Sequence, residues 1–251
     1  MRRLLVAAIA LPALTLAAQA TPAAATQFDV RIENVSTRQT LRMSNGTTAP
    51  VPFSPVIWAV HSGGNPLFTP GAVETGLGLK GFAEAGIGAP FLAAIKALPS
   101  VHYAGLDDHP NGHRRGMPKG EVDRKSASHM LQEGQRFEFT VSARRGDRLS
   151  LAMMIGQSND GLVATGRDGI DLFDAAGAPV NGNVTLRLSL WDAGTEVNED
   201  PGLGRNQGLR QGAAYAGDPE RSPVRPMSEA EFGSLWPAVD RLVKVTITTR
   251  K

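Results

Sequence analysis

Four carboxylates crowd one stretch of this sequence. Asp192, Glu196, Glu199 and Asp200 lie within nine positions of one another. Like charges this close repel one another unless they point apart into water or share a cation. A hard cation such as calcium takes about six to eight oxygen ligands from carboxylates, carbonyls and water. The stretch is therefore either a solvated acidic loop or part of a cation site.

A further carboxylate could join the same site from a distant segment. Gly194 frees the backbone to bend, so that Asp192 and Glu196 can face one point. Asp160 stands 32 positions before Asp192, where a predicted strand runs out into a turn. In a β-sandwich, the loops at the ends of different strands gather at one end. Asp160, Asp192 and Glu196 are the candidate ligands.

The elements that must position these residues are mainly strands. Residues 27–35 alternate, with Phe28, Val30 and Ile32 on one face. We expect 41–43 and 56–61 to pair with this strand. Further strands are predicted at 135–142, 149–155, 169–173, 184–191 and 242–248, with a hairpin turn at 144–147. With turns of Gly, Asn, Asp and Pro between them, they predict an all-β fold, an antiparallel β-sandwich.

Helices are expected only as short additions to the sandwich. Between Pro70 and Pro99, apolar residues recur at spacings of three and four, which predicts one or two short helices inserted between strands. A later helix is predicted at 228–236, where Ser228 and Glu231 form a capping box.

Before that helix, residues 201–226 read as a long loop with arginines among Gly, Pro and Asn. This loop is either a solvated connection or a site for an acidic partner or polyanionic glycan.

The N-terminus has the order of a secretory signal peptide. Arg2 and Arg3 precede an apolar run, and the triplet 18–20 ends in a small residue suited to cleavage. We therefore expect residues 1–20 to be a leader and 21–251 to be one domain, located in the periplasm or secreted. No stretch reaches the roughly 20 apolar residues that a membrane span needs.

Composition excludes several classes of protein. Removing the leader takes two of the 26 basic residues and leaves 24 against 24 acidic residues. This balance argues against nucleic acid as a partner. The chain has no cysteine, which excludes disulfides, thiol catalysis and cysteine-ligated zinc.

Two segments resemble a known family. Residues 191–196, W-D-A-G-T-E, closely resemble the W-D-A-G-T-[DE] signature of the spondin N-terminal domain family. Residues 156–160, followed by 169–173, are similar to the upstream half of that signature, which contains S-P-D-W. The resemblance is strong over residues 148–202 and largely absent after residue 205. It departs from the family at Asn159 and Gly161, where the family commonly has Pro and Trp.

The resemblance implies a fold, an ion and a role. The implied fold is a β-sandwich of C2-like character with a calcium ion at one end. Carried over position by position, the implied ligands are Asp160, Asp192 and Glu196. The implied role is structural or adhesion-like and non-catalytic, with an unidentified protein or glycan partner outside the cytoplasm.

Catalytic alternatives stay open at this point. The same carboxylates, or the group His102, His109 and His113, could hold a metal ion and make the protein a metal-assisted hydrolase. Ser158 lies in a near match to the nucleophile elbow G-x-S-x-G, although the second glycine is replaced. Residues 76–81 match G-x-G-x-x-G, but no buried strand precedes them, so we expect a flexible helix start instead of a dinucleotide site.

Overall fold

Strands supply most of the regular structure. The computed structural model describes residues 24–74, 76–110 and 129–250. Within them, the helices are α1 (Leu79–Ala85) and α2 (Gly88–Lys96). The strands are β1 (Thr26–Asn34), β2 (Leu41–Arg42), β3 (Thr48–Ala49), β4 (Val56–His61), β5 (Val101–Asp107), β6 (Arg136–Ala143), β7 (Arg148–Met154), β8 (Gly161–Thr165), β9 (Ile170–Asp171), β10 (Gly182–Asn183), β11 (Leu188–Asp192), β12 (Arg225–Pro226) and β13 (Val243–Thr249).

Two antiparallel sheets form a sandwich, which confirms the predicted fold class. The four-stranded sheet has the order β10-β13-β1-β6, and the seven-stranded sheet has the order β12-β11-β8-β7-β4-β5 with β9 beside β7. β2 and β3 form a separate pair. The core between the two sheets includes Phe28 of β1 and Phe137 of β6, packed with Leu149, Leu151 and Val163 of the opposite sheet.

The two helices cover the outer face of the seven-stranded sheet. Phe82 of α1 and Phe91 and Ile95 of α2 are buried against Ala152 and Leu162 on that face. The central strands β7 and β8 are consequently buried on both faces, as continuous apolar runs require. The prediction of one or two short helices between strands is confirmed.

The predicted strand partners of β1 are wrong. β1 pairs with β13 and β6, which are its antiparallel neighbours in the four-stranded sheet. β2 pairs with β3, and β4 lies in the other sheet between β5 and β7. Alternation identified these strands but carries no information about their neighbours, because pairing depends on the whole set of buried faces.

The hairpin predicted at residues 144–147 is also wrong. The tight turn exists, since Asp147 N donates to Arg144 O at 3.0 Å and Arg144 N donates to Asp147 Oδ2 at 2.8 Å. However, β6 and β7 on either side belong to different sheets. The turn therefore carries the chain across the sandwich.

Two predicted elements near the site differ from the observed ones. The strand predicted at 184–191 begins only at Leu188, because Thr185–Arg187 form a 3-10 helix in which Leu186 is 80% exposed. The Asn183 side chain accepts hydrogen bonds from Thr185 N at 2.9 Å and Thr185 Oγ1 at 2.6 Å, which favours this turn over a strand.

The helix predicted at 228–236 is absent from this described part of the chain. It is replaced by 3-10 helices at Met227–Glu229 and Gly233–Leu235. Phe232 between them has a φ of 60°, a left-handed conformation that interrupts a right-handed helix.

The described residues contain no helix that is both long and apolar enough to span a membrane. The predicted leader, residues 1–20, lies outside the described residues.

Candidate metal centre

Asp160 and Asp192 lie at one end of the seven-stranded sheet. Asp160 immediately precedes β8, and Asp192 is the last residue of β11. β8 and β11 are antiparallel neighbours, with Asp192 opposite Gly161. Both aspartates are completely buried. The register of a single strand pair therefore brings the two carboxylates to the same corner of the protein.

The turn after Asp192 aims its backbone donors at Asp160. Thr195 N and Glu196 N donate to Asp160 Oδ2 at 2.7 and 3.2 Å. Gly194 makes this turn with a φ of 66°, and its N–H donates to Asp192 Oδ1 at 2.7 Å. A Cβ at Gly194 would lie 2.3 Å from Ser222 O, so no other residue fits there. Gly194 thus allows the tight turn that brings the backbone after Asp192 into contact with Asp160.

Asp192 is neutralised within the chain. Its Oδ2 accepts hydrogen bonds from Arg225 Nη2 at 3.0 Å and from Asn198 Nδ2 at 2.7 Å. Arg225 lies opposite Asp192 where β11 pairs with β12. Burial by itself lowers the pKa of Arg225, but the Asp192 and Glu220 carboxylates raise it overall. Arg225 therefore neutralises this carboxylate in place of a metal ion. No pattern in the sequence indicated this pairing.

Glu196 is buried without such a partner. Its side chain is 1% exposed, and among the residues that the structure describes neither Oε1 nor Oε2 has a hydrogen-bond partner. Burial and the nearby Glu84 raise the pKa of Glu196 to about 7. Gly217 N, Lys80 and the Asn159 amide oppose this rise, but none of them forms a hydrogen bond of normal geometry with the carboxylate.

Asp160 also has a free oxygen. Its Oδ2 accepts the two backbone donors, whereas Oδ1 is buried and has no partner in the described part of the chain. Burial and the Asp192 carboxylate raise the pKa of Asp160 to about 7, while the Thr195 and Glu196 donors lower it. Asp160 therefore has one oxygen fixed by the protein and the other available to a ligand.

Glu84 of α1 is a fourth carboxylate in this corner that the sequence analysis missed. It is completely buried and forms an ion pair with Lys80, one helical turn earlier. Its second oxygen, Oε2, has no partner in the described structure. The sequence carried no clear signal for Glu84. It lies on the buried face of α1 beside Phe82 and Ala83, where a charge requires a partner, and only the packed helix shows that this face is buried.

The four carboxylates Glu84, Asp160, Asp192 and Glu196, which we call the acidic corner, differ in whether they have an ion-pair partner. Lys80 pairs with Glu84, and Arg225 pairs with Asp192. Neither Asp160 nor Glu196 has an ion-pair partner within residues 24–74, 76–110 and 129–250. Two buried carboxylates are left without a cation, and buried charges are costly unless they are paired, protonated or bound to metal.

The three predicted ligands do not converge tightly in the structure. Among described residues, a group of three ligand atoms within 4.8 Å of one another is formed by Asp107, Asp108 and His109, and not by Asp160, Asp192 and Glu196. The engagement of Asp192 by Arg225 is the physical reason, because both of its oxygens already accept hydrogen bonds. The unpartnered oxygens of Asp160, Glu196 and Glu84 are the remaining candidate ligands, and oxygen ligands suit a hard cation. These three residues also form no group of ligand atoms within 4.8 Å in the described structure, so binding an ion would need their side chains to move together.

The loop at 201–226 packs over the neighbouring turn. Gly208 N donates to Ser158 O at 3.3 Å, and Leu209 N donates to Gly156 O at 3.2 Å. Arg210 donates to Gln157 Oε1 at 2.8 Å. The loop is thus ordered by contact with the segment that carries Asp160, and it closes the corner from one side.

The structure separates two of the three histidines that were proposed to hold a metal ion together. His102 lies near the start of β5 and pairs with Asp147, Nδ1 to Oδ1, at 3.1 Å. His109 lies beyond the other end of β5, and seven residues of extended chain span about 20 Å. His113 lies outside the described residues. His102 and His109 therefore face different surroundings.

The serine alternative has no catalytic base hydrogen-bonded to it among the described residues. Ser158 Oγ donates to Ile155 O at 2.8 Å and accepts from Gly161 N at 3.0 Å, so its described partners are backbone groups. The chain continues from this turn into a strand, β8, whereas a nucleophile elbow leads into a helix. Gly78 is the N-cap of α1 and has a φ of 103°, as expected of a flexible helix start.

Comparison with protein-family models and with curated proteins found no match to this chain. The functional argument therefore depends on the chemistry of the site. That chemistry has one dominant feature, the two buried carboxylates Asp160 and Glu196, which form no ion pair in the described part of the chain.

Proposed function

We propose that this protein is an exported calcium-binding domain similar to the spondin N-terminal type, with a structural or interaction role and no catalysis. The observation that supports the ion is the burial of Asp160 and Glu196 with three oxygens that have no partner in the described structure. Two uncompensated carboxylates carry the charge that one divalent cation neutralises. Calcium accepts irregular sets of oxygen ligands, so it can be bound by carboxylates from separate segments of the chain.

The residues that would hold the ion come from three separate segments. Asp160 comes from the start of β8, Glu196 from the turn after β11, and Glu84 from α1. Asp192 would support the site without binding the ion. Its Oδ1 accepts a hydrogen bond from Gly194 N and so holds the turn, and Arg225 balances its charge. A bound cation would neutralise the corner and join the helix to the sheet.

This arrangement makes the expected role of calcium structural. An ion that binds only the folded state stabilises it by about 2.7 kcal/mol when its concentration is 100 times the Kd. The unfolded chain does not bring Glu84 near Asp160, because 76 positions separate them. Calcium should therefore raise the melting temperature.

The segment after Glu196 would supply the contacts of an interaction role. It exposes apolar side chains, each between 39% and 50% exposed: Val197, Leu203, Leu209 and Tyr215. Such side chains can contact a partner where they adjoin one another. An ion that orders the base of this segment would also order such a surface.

Thermal unfolding of the purified protein tests the proposal. After chelation, saturating calcium should raise the melting temperature by roughly 5–10 °C, because each kcal/mol shifts it by about 2–4 °C in a protein of this size. Glu196→Gln should lose this response, since it removes a charged ligand with little change of shape. Asp168→Asn is the matched control, because Asp168 is exposed and pairs only with Arg148 in the described structure.

A wild-type melting curve that calcium leaves unchanged would contradict the proposal. So would an equal calcium response in the Glu196→Gln variant, because it would place the ion elsewhere.

A further inference from the structure

A second group of metal-ligating side chains lies beyond the end of β5, outside the acidic corner. Asp107, Asp108 and His109 offer three ligand atoms within 4.8 Å of one another. His129 approaches them although it is 20 positions from His109 in sequence. The His109 and His129 rings lie 5.9 Å apart, edge to face, and His129 Nδ1 is 3.7 Å from Asp108 Oδ2.

The backbone on both sides of this group is anchored to one short segment. Asp107 pairs with Val56 in the β4–β5 ladder. Two residues after His129, Leu131 bridges to Phe53, with hydrogen bonds of 2.8 and 3.2 Å between their backbones. Because Phe53 and Val56 are three residues apart, the same segment fixes the positions of both ligand-bearing stretches. The juxtaposition of the two histidines is thus part of the fold.

The orientation of both imidazoles suits metal ligation. His129 Nδ1 lies 3.0 Å from the Asp108 carbonyl oxygen, and His109 Nδ1 contacts Asp108 Oδ1. Both Nδ1 atoms therefore face Asp108, and a metal ion held between them and the carboxylate would take the place of the imidazole proton. His109 N also donates to Asp107 Oδ1 at 3.2 Å, which holds the Asp107 side chain against the same turn.

We propose that Asp107, Asp108, His109 and His129 form a binding site for a transition-metal ion of the zinc class. Paired imidazoles with carboxylates favour Zn²⁺ and its neighbours over Ca²⁺, which takes oxygen ligands. A tetrahedral zinc ion with bonds of about 2.0–2.2 Å needs ligand atoms about 3.3–3.6 Å apart. The ligand atoms of Asp107, Asp108 and His109 lie within 4.8 Å of one another, and His129 lies beside them. The ion would link the end of β5 to the stretch that leads into Leu131.

This site differs from the acidic corner in chemistry and in exposure. The corner is buried and contributes only carboxylates, whereas the His109 side chain is 84% exposed and that of His129 is 61% exposed. An exposed group can exchange metal with solvent and can leave a coordination position for a water molecule or a partner's side chain. The proposal is therefore independent of calcium binding.

Titration calorimetry of the chelated full-length protein with ZnCl₂ tests this proposal. His109→Ala and His129→Ala should each raise the Kd for zinc by about tenfold or more, since even the loss of an outer hydrogen bond to a zinc ligand costs about that much. His102→Ala is the matched control, because His102 is a half-exposed histidine of the same strand that pairs with Asp147 instead. It should leave zinc binding unchanged.

Three results would overturn the site. They are no zinc binding by the wild type, wild-type affinity in either variant, and a loss of affinity in His102→Ala as large as that in His109→Ala. The melting response to calcium, measured on the same His109→Ala protein, separates this proposal from the proposed function. Failure of the zinc site should leave that response unchanged.

Discussion

Two acidic regions of this protein differ in how far water reaches them. In the acidic corner, Asp160 and Glu196 are at most 1% exposed and form no ion pair in the described structure. At the end of β5, the Asp108 side chain is 34% exposed beside an imidazole that is largely in solvent. Water screens the second group at little cost, but the first must bind a proton or a cation. Burial therefore decides which region governs stability.

The largest effect is expected at Arg225, within the acidic corner. Arg225→Met removes the only cation that contacts Asp192 in the described structure and leaves that carboxylate buried and unpaired. Breaking a buried pair in this way costs about 3–5 kcal/mol. Urea unfolding of the calcium-free protein measures this cost.

Arg187→Met provides the matched control for Arg225. Arg187 is mostly exposed and pairs weakly with Asp171 at 3.8 Å. Its replacement should change the unfolding free energy by less than about 0.5 kcal/mol. Equal losses in the two variants would remove the distinction between the buried and exposed pairs.

The next effect concerns pH in the calcium-free protein. Burial raises the pKa of Asp160 and of Glu196 to about 7, above their ordinary values of 3.8 and 4.5. Between about pH 4 and pH 7 the folded state then holds protons that the unfolded state releases. The unfolding free energy should therefore fall as pH rises through this window, by about 1.4 kcal/mol for each pKa unit that separates the folded from the unfolded state. Lys80, Glu84 and Asp192 face these groups and modify the size of the fall.

His61 contributes with the opposite sign and must be subtracted. Burial lowers its pKa to about 4, so its contribution to stability is lost as pH falls from about 6.5 towards 4. The difference between the wild-type and Glu196→Gln curves cancels this contribution, because both proteins contain His61. A difference that does not change between pH 4 and pH 7 would contradict the raised pKa of Glu196. Saturating calcium should reduce the wild-type fall, because the ion favours ionised carboxylates.

The smallest effect is expected outside the corner. Asp108→Asn should change the unfolding free energy of the metal-free protein by no more than about 0.5 kcal/mol, because the side chain is partly solvated. Asp160→Asn should instead raise stability at pH 8 without calcium, since it removes a buried charge that has no cation. Chemical denaturation of the two variants side by side tests this contrast. A large loss of stability in Asp108→Asn would contradict the expectation that the Asp108 side chain contributes little to the fold.

Much of the strand content was predictable, but the connections were not. β1, β6 and β13 alternate because one face is buried and the other is solvated, and this local pattern is visible in the sequence. β7 and β8 are buried on both faces, so their sequences are continuous apolar runs without alternation. In neither kind of strand does the sequence pattern identify the neighbouring strand. The turn at 144–147 resembles a hairpin locally, yet the chain there moves from one sheet to the other.

The candidate site was predictable only in part, for a related reason. Asp160 and Asp192 lie at the ends of strands, so an argument from loop clustering could place them together. Arg225 lies 33 positions from Asp192, with which it pairs, and Glu84 lies 112 positions from Glu196, whose pKa it raises. Both contacts depend on the completed fold. In that fold Arg225 pairs with Asp192, so Asp192 is not free to bind an ion as the sequence had suggested.

Direct calcium binding tests the central claim most closely. Equilibrium dialysis of the chelated wild-type protein against radioactive calcium, at pH 8 to limit proton competition, should show a saturable site. Glu196→Gln should abolish it, and Asp168→Asn should retain it. Wild-type protein that binds no calcium under these conditions, or a Glu196→Gln variant that binds as the wild type does, would contradict the claim that the buried carboxylates hold a cation.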